Sequence, residues 1–259
     1  MKLINFDEYK ILDTSDGMKL ESWNGIKLLR PDPQIIWSDK DKSIPDRWQI
    51  HYDDLTFNLK LMGFKHTGLF PEQAYNWSML KSKIKGKKDV KVLNLFAYTG
   101  AASVACLFAG ASVVHVDSSR GMVDWAKENV ESSNLSDKPI RFIVDDVVKF
   151  VEREIRRGNK YDIILMDPPS FGRGPKGETW KIEENIYDFV RLCSKVLSDN
   201  PLFVLINSYT TGLQPTVMAN ILNATITGGK TESYEVGLPT QEKGIILPCG
   251  CSALKTFNK

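Results

Sequence analysis

The sequence predicts an α/β fold: a mostly parallel sheet with helices on both faces, and a small antiparallel β subdomain at the N-terminus. Apolar runs and helical stretches take turns from residue 90 to residue 227, as in strand–helix–strand units. The dipeptides Asp16-Gly17 and Asn24-Gly25 separate short alternating runs, which favours hairpins. Two final runs, 232–237 and 244–249, are joined by a short loop and are expected to pair antiparallel.

Composition limits the class of protein. A chain of 259 residues can hold one large α/β domain with a small appendage, here predicted as residues 71–259 and 1–70. Neither a run of 18 apolar residues nor a signal-peptide pattern is present, so a cytoplasmic protein is expected. The net charge of +2 is too small to argue for a large nucleic-acid footprint. The four cysteines lack the paired spacing of a zinc site, and we expect reduced thiols and no metal.

The predicted elements follow from these patterns. Residues 9–12, 19–23 and 26–30 are expected to form the first strands, and 48–52 with 55–61 a further hairpin around Asp53-Asp54. An apolar pattern at 71–85 predicts a helix before the main sheet. The predicted strands then are 90–95, 112–116, 140–144, 161–166 and 202–206, alternating with helices at 101–109, 119–133, 146–157, 182–198 and 214–227.

The run at 92–101, Val-Leu-Asn-Leu-Phe-Ala-Tyr-Thr-Gly-Ala, is an apolar strand that breaks into a tight turn and enters a helix. Such a turn presents backbone N–H groups and a helix N-terminus to a polar ligand. A dinucleotide site would carry glycines here, whereas Phe96 and Tyr98 stand where glycines would let a pyrophosphate approach. The expected ligand is therefore a nucleoside rather than NAD.

Acidic residues follow the next three predicted strands, at the rim where open α/β sheets bind ligands. Asp117 stands about 20 residues beyond the turn, where an acid can accept both ribose hydroxyls of a nucleoside. Asp145 and Asp146 follow the third strand, and Asp167 begins Asp-Pro-Pro-Ser-Phe after the fourth. For Asp117, Asp145 and Asp146, a helix cap or first-turn acid is the alternative role.

The order of these motifs resembles that of class I S-adenosylmethionine-dependent methyltransferases, and more closely the branch containing the 23S rRNA cytosine-C5 and guanine-N7 methyltransferases. The resemblance rests on the runs 94–100, 116–119, 145–147 and 167–171, and on a Thr-Gly-x-x-x-x-Gln pattern within 65–73. It implies a Rossmann-like sheet of seven strands with a reversed last strand. It also implies S-adenosylmethionine as cofactor and S-adenosylhomocysteine as product.

The resemblance also suggests roles at the cofactor. Asp117 would accept from the ribose hydroxyls, Asp146 or else Asp145 from the adenine amine, and Val147 would lie against the purine. Phe70 and Gln73 would sit beside the methionine or adenine end, with ordinary packing as the alternative for Phe70. The cofactor-binding set predicted in this way is Phe70, Gln73, Asn94, Phe96, Ala97, Tyr98, Thr99, Gly100, Asp117, Ser118, Asp145, Asp146, Val147 and Asp167.

The Asp-Pro-Pro-Ser-Phe segment is predicted to be catalytic. Its prolines fix the backbone, so the Asp167 carboxylate and the Pro168 carbonyl can accept from an amine or a base edge, and Phe171 can stack on a planar substrate. A turn that only redirects the chain, followed by an ordinary surface loop, is the alternative. The predicted catalytic residues are Asp167, Pro168, Pro169 and Phe171, and the predicted substrate-binding residues are Arg173, Lys176, Asn207 and Tyr209.

One departure from the family pattern bears on mechanism. Cytosine-C5 methylation needs a thiolate that adds to the ring, and family members acting so place a cysteine just after the fifth strand. Residues 205–211 read Leu-Ile-Asn-Ser-Tyr-Thr-Thr, so non-covalent transfer is expected unless the fold brings Cys249 or Cys251 to the pocket. The predicted function is methylation of a nucleobase in RNA. A small-molecule or protein acceptor, or a cofactor-binding subunit without turnover, are the alternatives.

Overall fold

A mostly parallel sheet forms the middle layer of the molecule. The computed structural model describes residues 2–3, 5–15, 18–32, 45–62, 66–173, 179–241 and 244–257. The strands of the main sheet are β1 (Lys2–Leu3), β7 (Lys91–Leu95), β8 (Ser112–Asp117), β9 (Ile140–Val144), β10 (Ile163–Met166), β13 (Phe203–Ser208), β14 (Lys230–Pro239) and β15 (Ile246–Thr256).

The strand order is β1-β14-β15-β13-β10-β7-β8-β9. Strands β7 to β10 and β13 run parallel, while β15 is antiparallel to both β13 and β14. The α/β fold with a reversed last strand is therefore confirmed. The described sheet has one strand more than expected, because β1 pairs parallel with β14. Strand β1 has only two residues and therefore shows no periodic pattern, so it could not be predicted from the sequence.

Helices cover both faces of the sheet, as the alternating pattern predicts. They are α1 (Ala74–Ile84), α2 (Ala101–Phe108), α3 (Arg120–Ser132), α4 (Val147–Arg157), α5 (Ile182–Ser194) and α6 (Pro215–Thr225), with a 3₁₀ turn at Pro71–Gln73 before α1. Buried side chains of α1 and α2, with Val130 of α3, belong to one core cluster, and those of α4, α5 and α6 belong to another. No described helix is long and apolar enough to cross a membrane.

The predicted N-terminal strands are confirmed. They form two small antiparallel sheets and are β2 (Tyr9–Ser15), β3 (Met18–Trp23), β4 (Ile26–Pro31), β5 (Trp48–Tyr52) and β6 (Leu55–Leu59). Asn24 and Gly25 both have positive φ, 48° and 84°, as a tight hairpin turn requires. The turn at Asp16-Gly17 and the connector at 33–44 lie outside the described residues.

The N-terminal sheets pack on the α1–α3 side of the main sheet, and hairpin β5–β6 is tied to α3 by hydrogen bonds. The indole Nε1 of Trp125 on α3 donates to the Asn58 carbonyl at 2.9 Å. Asn129, fully buried on the same helix, accepts from the Asn58 N–H at 2.8 Å and donates to the Thr99 carbonyl at 2.8 Å. Hairpin β5–β6 is thereby fixed to the loop that follows β7.

Candidate active site

The carboxyl ends of the parallel strands meet at one rim of the sheet, and the loops that follow them are bonded to one another. Ala97 N–H donates to the Val116 carbonyl at 3.0 Å, and Asp145 N–H donates to the Asp117 carbonyl at 3.0 Å. On the other side, Asp167 N–H donates to the Leu95 carbonyl at 3.3 Å. The loops after β7, β8, β9 and β10 therefore form one continuous surface.

The loop at 96–100 after β7 is strained. Phe96 and Tyr98 have φ values of 54° and 49°, and Gly100 has 85°. A left-handed conformation costs a residue with a side chain on the order of 1 kcal/mol or more, so it persists only where the surroundings hold it. Asp117 Oδ2 accepts from the Tyr98 N–H at 2.8 Å, and the Thr99 hydroxyl donates to the Gly68 carbonyl at 2.6 Å. Such stored strain is typical of ligand-binding loops.

Asp117 is the last residue of β8 and lies against this loop. Its second oxygen, Oδ1, accepts from the Ser119 N–H at 2.8 Å. The N-cap position of α3 is occupied by Ser119, so Asp117 is not the cap residue itself. Burial raises the pKa of the Asp117 carboxyl, and the two backbone N–H donors lower it. A carboxylate offers about four lone-pair sites, so two acceptor positions remain for ligand hydroxyls. Ser118, beside it, is exposed.

Asp145, Asp146 and Val147 join β9 to α4. Asp146 is the N-cap of α4 and accepts from the Lys149 N–H at 2.9 Å, so the capping role suggested as an alternative is present. Asp145 accepts from the Asp146 N–H and forms an ion pair with Arg153. Val147 is buried. Both carboxyls are thus engaged by the protein, and a contact of Asp146 or Asp145 with adenine stays a prediction.

A pocket opens between the loop at 96–100, segment 69–73 and the end of β10. Aromatic rings stand around it: the Phe70 ring centre lies 5.4 Å from that of Tyr98 and 5.5 Å from that of Tyr209. Such rings suit a planar ligand or a cation. The predicted site residues that line this pocket are Phe70, Gln73, Asn94, Phe96, Ala97, Tyr98, Thr99, Gly100, Asp167 and Asn207.

Asp167 is the most unusual group in the pocket. Its Oδ1 is buried and has no hydrogen-bond partner in the described part of the structure. Burial first, and then the charge of the Glu72 carboxyl, raise the pKa of Asp167 to about 7, against a smaller lowering effect of Asn207. Buried acceptors are rarely left without a donor. This oxygen is therefore placed to accept a hydrogen bond from a ligand.

The residues after Asp167 are held in place. The Pro169 carbonyl accepts from the Trp180 indole at 2.7 Å, and the Ser170 and Thr210 hydroxyls are hydrogen-bonded at 2.6 Å. Phe171 begins the short hairpin of β11 (Phe171–Arg173) and β12 (Thr179–Lys181) and is 54% exposed. Phe171 therefore stands outside the pocket.

Two predicted substrate contacts fall at the limit of what the structure describes. Arg173 closes β11, but its side chain lies outside the described residues. Lys176 lies outside them entirely.

A buried polar network connects α1 to β13 and β15, and three of its residues, Gln73, Asn76 and Asn207, line the pocket. Gln73 Nε2 donates to the Tyr209 hydroxyl at 2.7 Å, and Gln73 Oε1 accepts from Asn76 at 2.7 Å and from Asn207 at 3.2 Å. The Ser252 hydroxyl donates to Asn207 Oδ1 at 2.8 Å. The Gln73 amide thus makes three bonds within the protein. Asn76 could not be predicted as a member of this network, because a single polar residue in an amphipathic helix is expected to be exposed.

Glu72 is a second residue that sequence analysis missed. It is only 6% exposed and stands between the predicted site residues of the 70–73 segment. The sequence shows an acidic residue at this position of the segment, but it contains no pattern that predicts its burial.

None of the four cysteines is among the residues that line the pocket. The Cys249 thiol donates to the Leu247 carbonyl at 3.5 Å, and burial and Glu72 raise its pKa. Cys251 donates to the Leu213 carbonyl at 3.4 Å, and burial raises its pKa to about 11. Cys106 and Cys193 are buried. The described residues contain no cluster of three or more His, Cys, Asp or Glu side chains that could hold a metal ion.

A family model described as S-adenosylmethionine-dependent methyltransferase matches residues 20–215 of the chain. The chain belongs to this methyltransferase family. A crystal structure of the S-adenosylmethionine-dependent methyltransferase from Agrobacterium tumefaciens is similar over all of this chain and 94% of the other, with a TM-score of 0.92 and 30% sequence identity. A methyltransferase solved in complex with SAH covers 96% of this chain and 75% of the other, with a TM-score of 0.79 and 19% identity, and supports the fold.

Curated relatives of the methyltransferase carry the name ribosomal RNA large subunit methyltransferase K/L. The one from Syntrophotalea carbinolica is 34% identical over 166 residues, which are 63% of this chain and 22% of the relative. The one from Pseudoalteromonas atlantica is 38% identical over 143 residues, 54% of this chain and 19% of the relative. The chain therefore spans about a fifth of the length of these relatives.

The site of the methyltransferase fits S-adenosylmethionine. The strained loop and Asp117 would present backbone and carboxylate groups to its nucleoside, and the rings of Phe70 and Tyr98 line the pocket beside that loop. When bound, the cofactor supplies an activated methyl group. These residues would hold it, and the buried Asp167 Oδ1, which has no hydrogen-bond partner in the described part of the structure, would accept from a ligand in the pocket.

Proposed function

We propose that the enzyme transfers methyl to a nitrogen of a nucleobase in RNA, directly and without a covalent enzyme intermediate. The observation that carries this proposal is Asp167 Oδ1, which lies buried in an aromatic pocket and has no hydrogen-bond partner among the described residues. An oxygen of this kind accepts an N–H from the acceptor and holds the nitrogen in place. Methyl transfer is an in-line displacement, so such positioning is most of what the protein must provide.

The RNA part of the proposal is supported by the relatives. Proteins 34% and 38% identical to parts of this chain are named as ribosomal RNA methyltransferases. The exposed ring of Phe171, four residues beyond Asp167 in the chain, is available for stacking against a base. Enzymes that act on bases commonly read them by stacking and by hydrogen bonds to the base edge.

Direct transfer is supported by the state of the thiols. A covalent route needs a thiolate at the acceptor. Tyr209 occupies the position just after β13, and burial raises the pKa of the nearby Cys249 thiol well above neutral. Cys249→Ser should therefore leave methyl transfer unchanged within about twofold, whereas loss of activity on this change would indicate covalent chemistry.

The test uses labelled S-adenosylmethionine and total RNA from a strain that lacks the gene. Label should enter RNA, and mass spectrometry of the digested nucleosides should find it on a ring or exocyclic nitrogen. Asp167→Asn should abolish transfer while the dissociation constant for S-adenosylhomocysteine, measured by calorimetry, stays within about twofold.

Asp188→Asn, a change of the same type at a side chain 71% exposed on α5, is the matched control and should keep full activity. Label found only in a small-molecule or protein pool would refute the RNA proposal. Loss of cofactor binding in Asp167→Asn would assign the acid to the cofactor instead of the acceptor.

A further inference from the structure

His115 is a buried imidazole beside the strained loop at 96–100. It lies on β8 and is fully buried, and its Nε2 has no hydrogen-bond partner among the described residues. A Cβ added at Gly100 would be 3.4 Å from the His115 Cε1, so the ring lies next to the end of the loop. Buried polar atoms are seldom left without a partner, and each exception calls for an explanation.

Two hydrogen bonds connect this imidazole to the pocket. Asn94 and His115 are neighbours in the parallel register of β7 and β8, and Ser103 lies in the first turn of α2. Asn94 Nδ2 donates to the Ser103 Oγ at 2.9 Å, and that oxygen is 3.0 Å from the His115 Nδ1. None of the three side chains is more than 3% exposed, and Asn94 lines the pocket. They form a buried hydrogen-bond chain that ends at the pocket wall.

The protons in this hydrogen-bond chain have one consistent direction. Because Ser103 Oγ accepts from the Asn94 amide, its own proton is left for the His115 Nδ1. A neutral imidazole that accepts at Nδ1 carries its proton on Nε2. Burial, opposed by the Tyr98 backbone carbonyl, lowers the pKa of His115 to about 3, so the ring is neutral near pH 7. The carbonyl can only accept, which favours a proton on the ring nitrogen that Ser103 leaves free.

The direction of the hydrogen-bond chain decides which atom Asn94 presents to a ligand. Its amide nitrogen is bonded to Ser103, and among the described residues no side chain or backbone group donates to its Oδ1. With the opposite direction, the amide would be turned over and its N–H groups would be available instead. As it stands, Asn94 offers an acceptor, which selects a ligand group that donates.

The cofactor has donors at its ribose, at its adenine amine and at the ammonium group of its amino-acid end. The ribose hydroxyls are predicted to bind Asp117, and the adenine amine is predicted to bind Asp146 or Asp145. Both of these acids follow other strands of the sheet, whereas Asn94 lies on β7 before the loop. The ammonium group is therefore the donor left for the Asn94 oxygen.

We propose that Ser103 and His115 are positioning residues that fix the Asn94 amide, so that its Oδ1 accepts from the ammonium group of S-adenosylmethionine. Ser103 accepts from the amide nitrogen, and His115 takes the hydroxyl proton that would otherwise be free to turn towards the amide oxygen. The inference concerns the cofactor and not the methyl acceptor. Its tests need no RNA, so they remain decisive if the RNA proposal fails.

The first experiment determines the direction of the hydrogen-bond chain in the protein without ligand. Long-range ¹⁵N–¹H NMR spectra distinguish Nδ1–H from Nε2–H, and His115→Phe identifies the resonances of this ring among the three histidines. The wild type should show Nε2–H, unchanged between about pH 5 and about pH 8. Asn94→Asp should place a proton on Nδ1, because a carboxylate can only accept and Ser103 must then donate to it.

Two results of this experiment overturn the proposal. One is a wild-type ring that carries its proton on Nδ1, since the Asn94 amide would then face the pocket with its nitrogen. The other is a folded Asn94→Asp variant in which Nδ1 stays unprotonated, since Ser103 would then not couple the two side chains.

The second experiment compares two ligands by calorimetry. S-adenosylhomocysteine carries the ammonium group, whereas methylthioadenosine has the same nucleoside without the amino-acid end. Ser103→Ala removes the acceptor that orients the Asn94 amide, so it should weaken S-adenosylhomocysteine about tenfold and leave methylthioadenosine within about twofold. His115→Phe should show the same difference between the ligands. If these variants fold poorly, Asn94→Ala gives the comparison, since it removes the accepting oxygen itself.

Ser194→Ala is the matched control. The Ser194 hydroxyl on α5 donates to the Arg191 carbonyl of its own helix at 2.8 Å, and its loss should leave both affinities unchanged. Affinities for the two ligands that fall by the same factor in Ser103→Ala would indicate a merely structural role and refute the proposal. An unchanged affinity of folded Ser103→Ala for S-adenosylhomocysteine would refute it as well.

Discussion

Gly100 ends the strained loop, and replacing it with alanine should damage both stability and cofactor binding. Its φ is +85°, and an added Cβ would lie 2.8 Å from the Ala126 Cβ on α3. The left-handed conformation should cost alanine about 1 kcal/mol, and the contact about 1–3 kcal/mol more because neither α2 nor α3 can move away freely. We therefore expect Gly100→Ala to lower the free energy of unfolding by about 2–4 kcal/mol.

Gly110 offers a matched control. Its φ is +97°, but an added Cβ would meet nothing within 4 Å, so Gly110→Ala carries the conformational cost alone, about 1 kcal/mol. Urea denaturation of both variants isolates the contact as their difference. Calorimetry with S-adenosylhomocysteine should show affinity about tenfold weaker or worse for Gly100→Ala and unchanged for Gly110→Ala. Equal losses of stability in the two variants would refute the assignment of a steric requirement to Gly100.

Three further predictions follow from the site. Asp117→Ala should weaken the affinity for S-adenosylhomocysteine, measured by calorimetry, about 100-fold, since two hydrogen bonds to a carboxylate are worth about 1.5 kcal/mol each. The control Asp124→Ala, at a side chain 50% exposed on α3, should leave the affinity unchanged. Equal affinities of the two variants would refute the assignment of Asp117 to the ribose. Asn129→Ala should destabilise the fold in urea by about 2–4 kcal/mol, because it leaves the Asn58 N–H on β6 and the Thr99 carbonyl unpaired, and a loss below about 1 kcal/mol would contradict this. Because burial raises the pKa of Asp167 to about 7, the ionisation of this group lowers the stability of the folded protein as the pH rises from about 4 to about 7. Asp167→Asn should therefore raise Tm more at pH 8 than at pH 4. An equal gain in Tm at both pH values would contradict that pKa.

Much of the fold could be predicted because it is encoded locally. Strand β9 was expected at 140–144 and is found there, since a short apolar run between polar turns needs no distant information. The hairpin turn at Asn24-Gly25 was equally predictable, because few residue pairs adopt positive φ at both positions. The position of the site loops could also be predicted, since the carboxyl ends of parallel strands lie at one edge of the sheet.

The interior of the site could not be predicted in the same way. In the sequence, Glu72 and Asn76 resemble ordinary polar residues of a turn and a helix. They are buried because β13, β15 and the N-terminal sheet, all distant in sequence, pack over them. The role of Asp146 was open for a related reason. An acid at the start of a helix can bind a ligand, cap the helix or do both, and the geometry shows that Asp146 accepts from the Lys149 N–H.

Costly features of this chain converge at one place. Phe96 and Tyr98 have left-handed backbone, and within the part of the chain that the structure describes, Asp167 has a buried oxygen without a hydrogen-bond partner and Glu72 is a buried acid without a salt bridge. Each costs on the order of 1 kcal/mol or more, against a net stability of about 5–15 kcal/mol for a typical domain. None of these costs improves the packing of the sheet, which is complete on both faces. A ligand that donates a hydrogen bond to Asp167 would offset the cost of its buried oxygen, and we propose that this selects an acceptor that carries N–H.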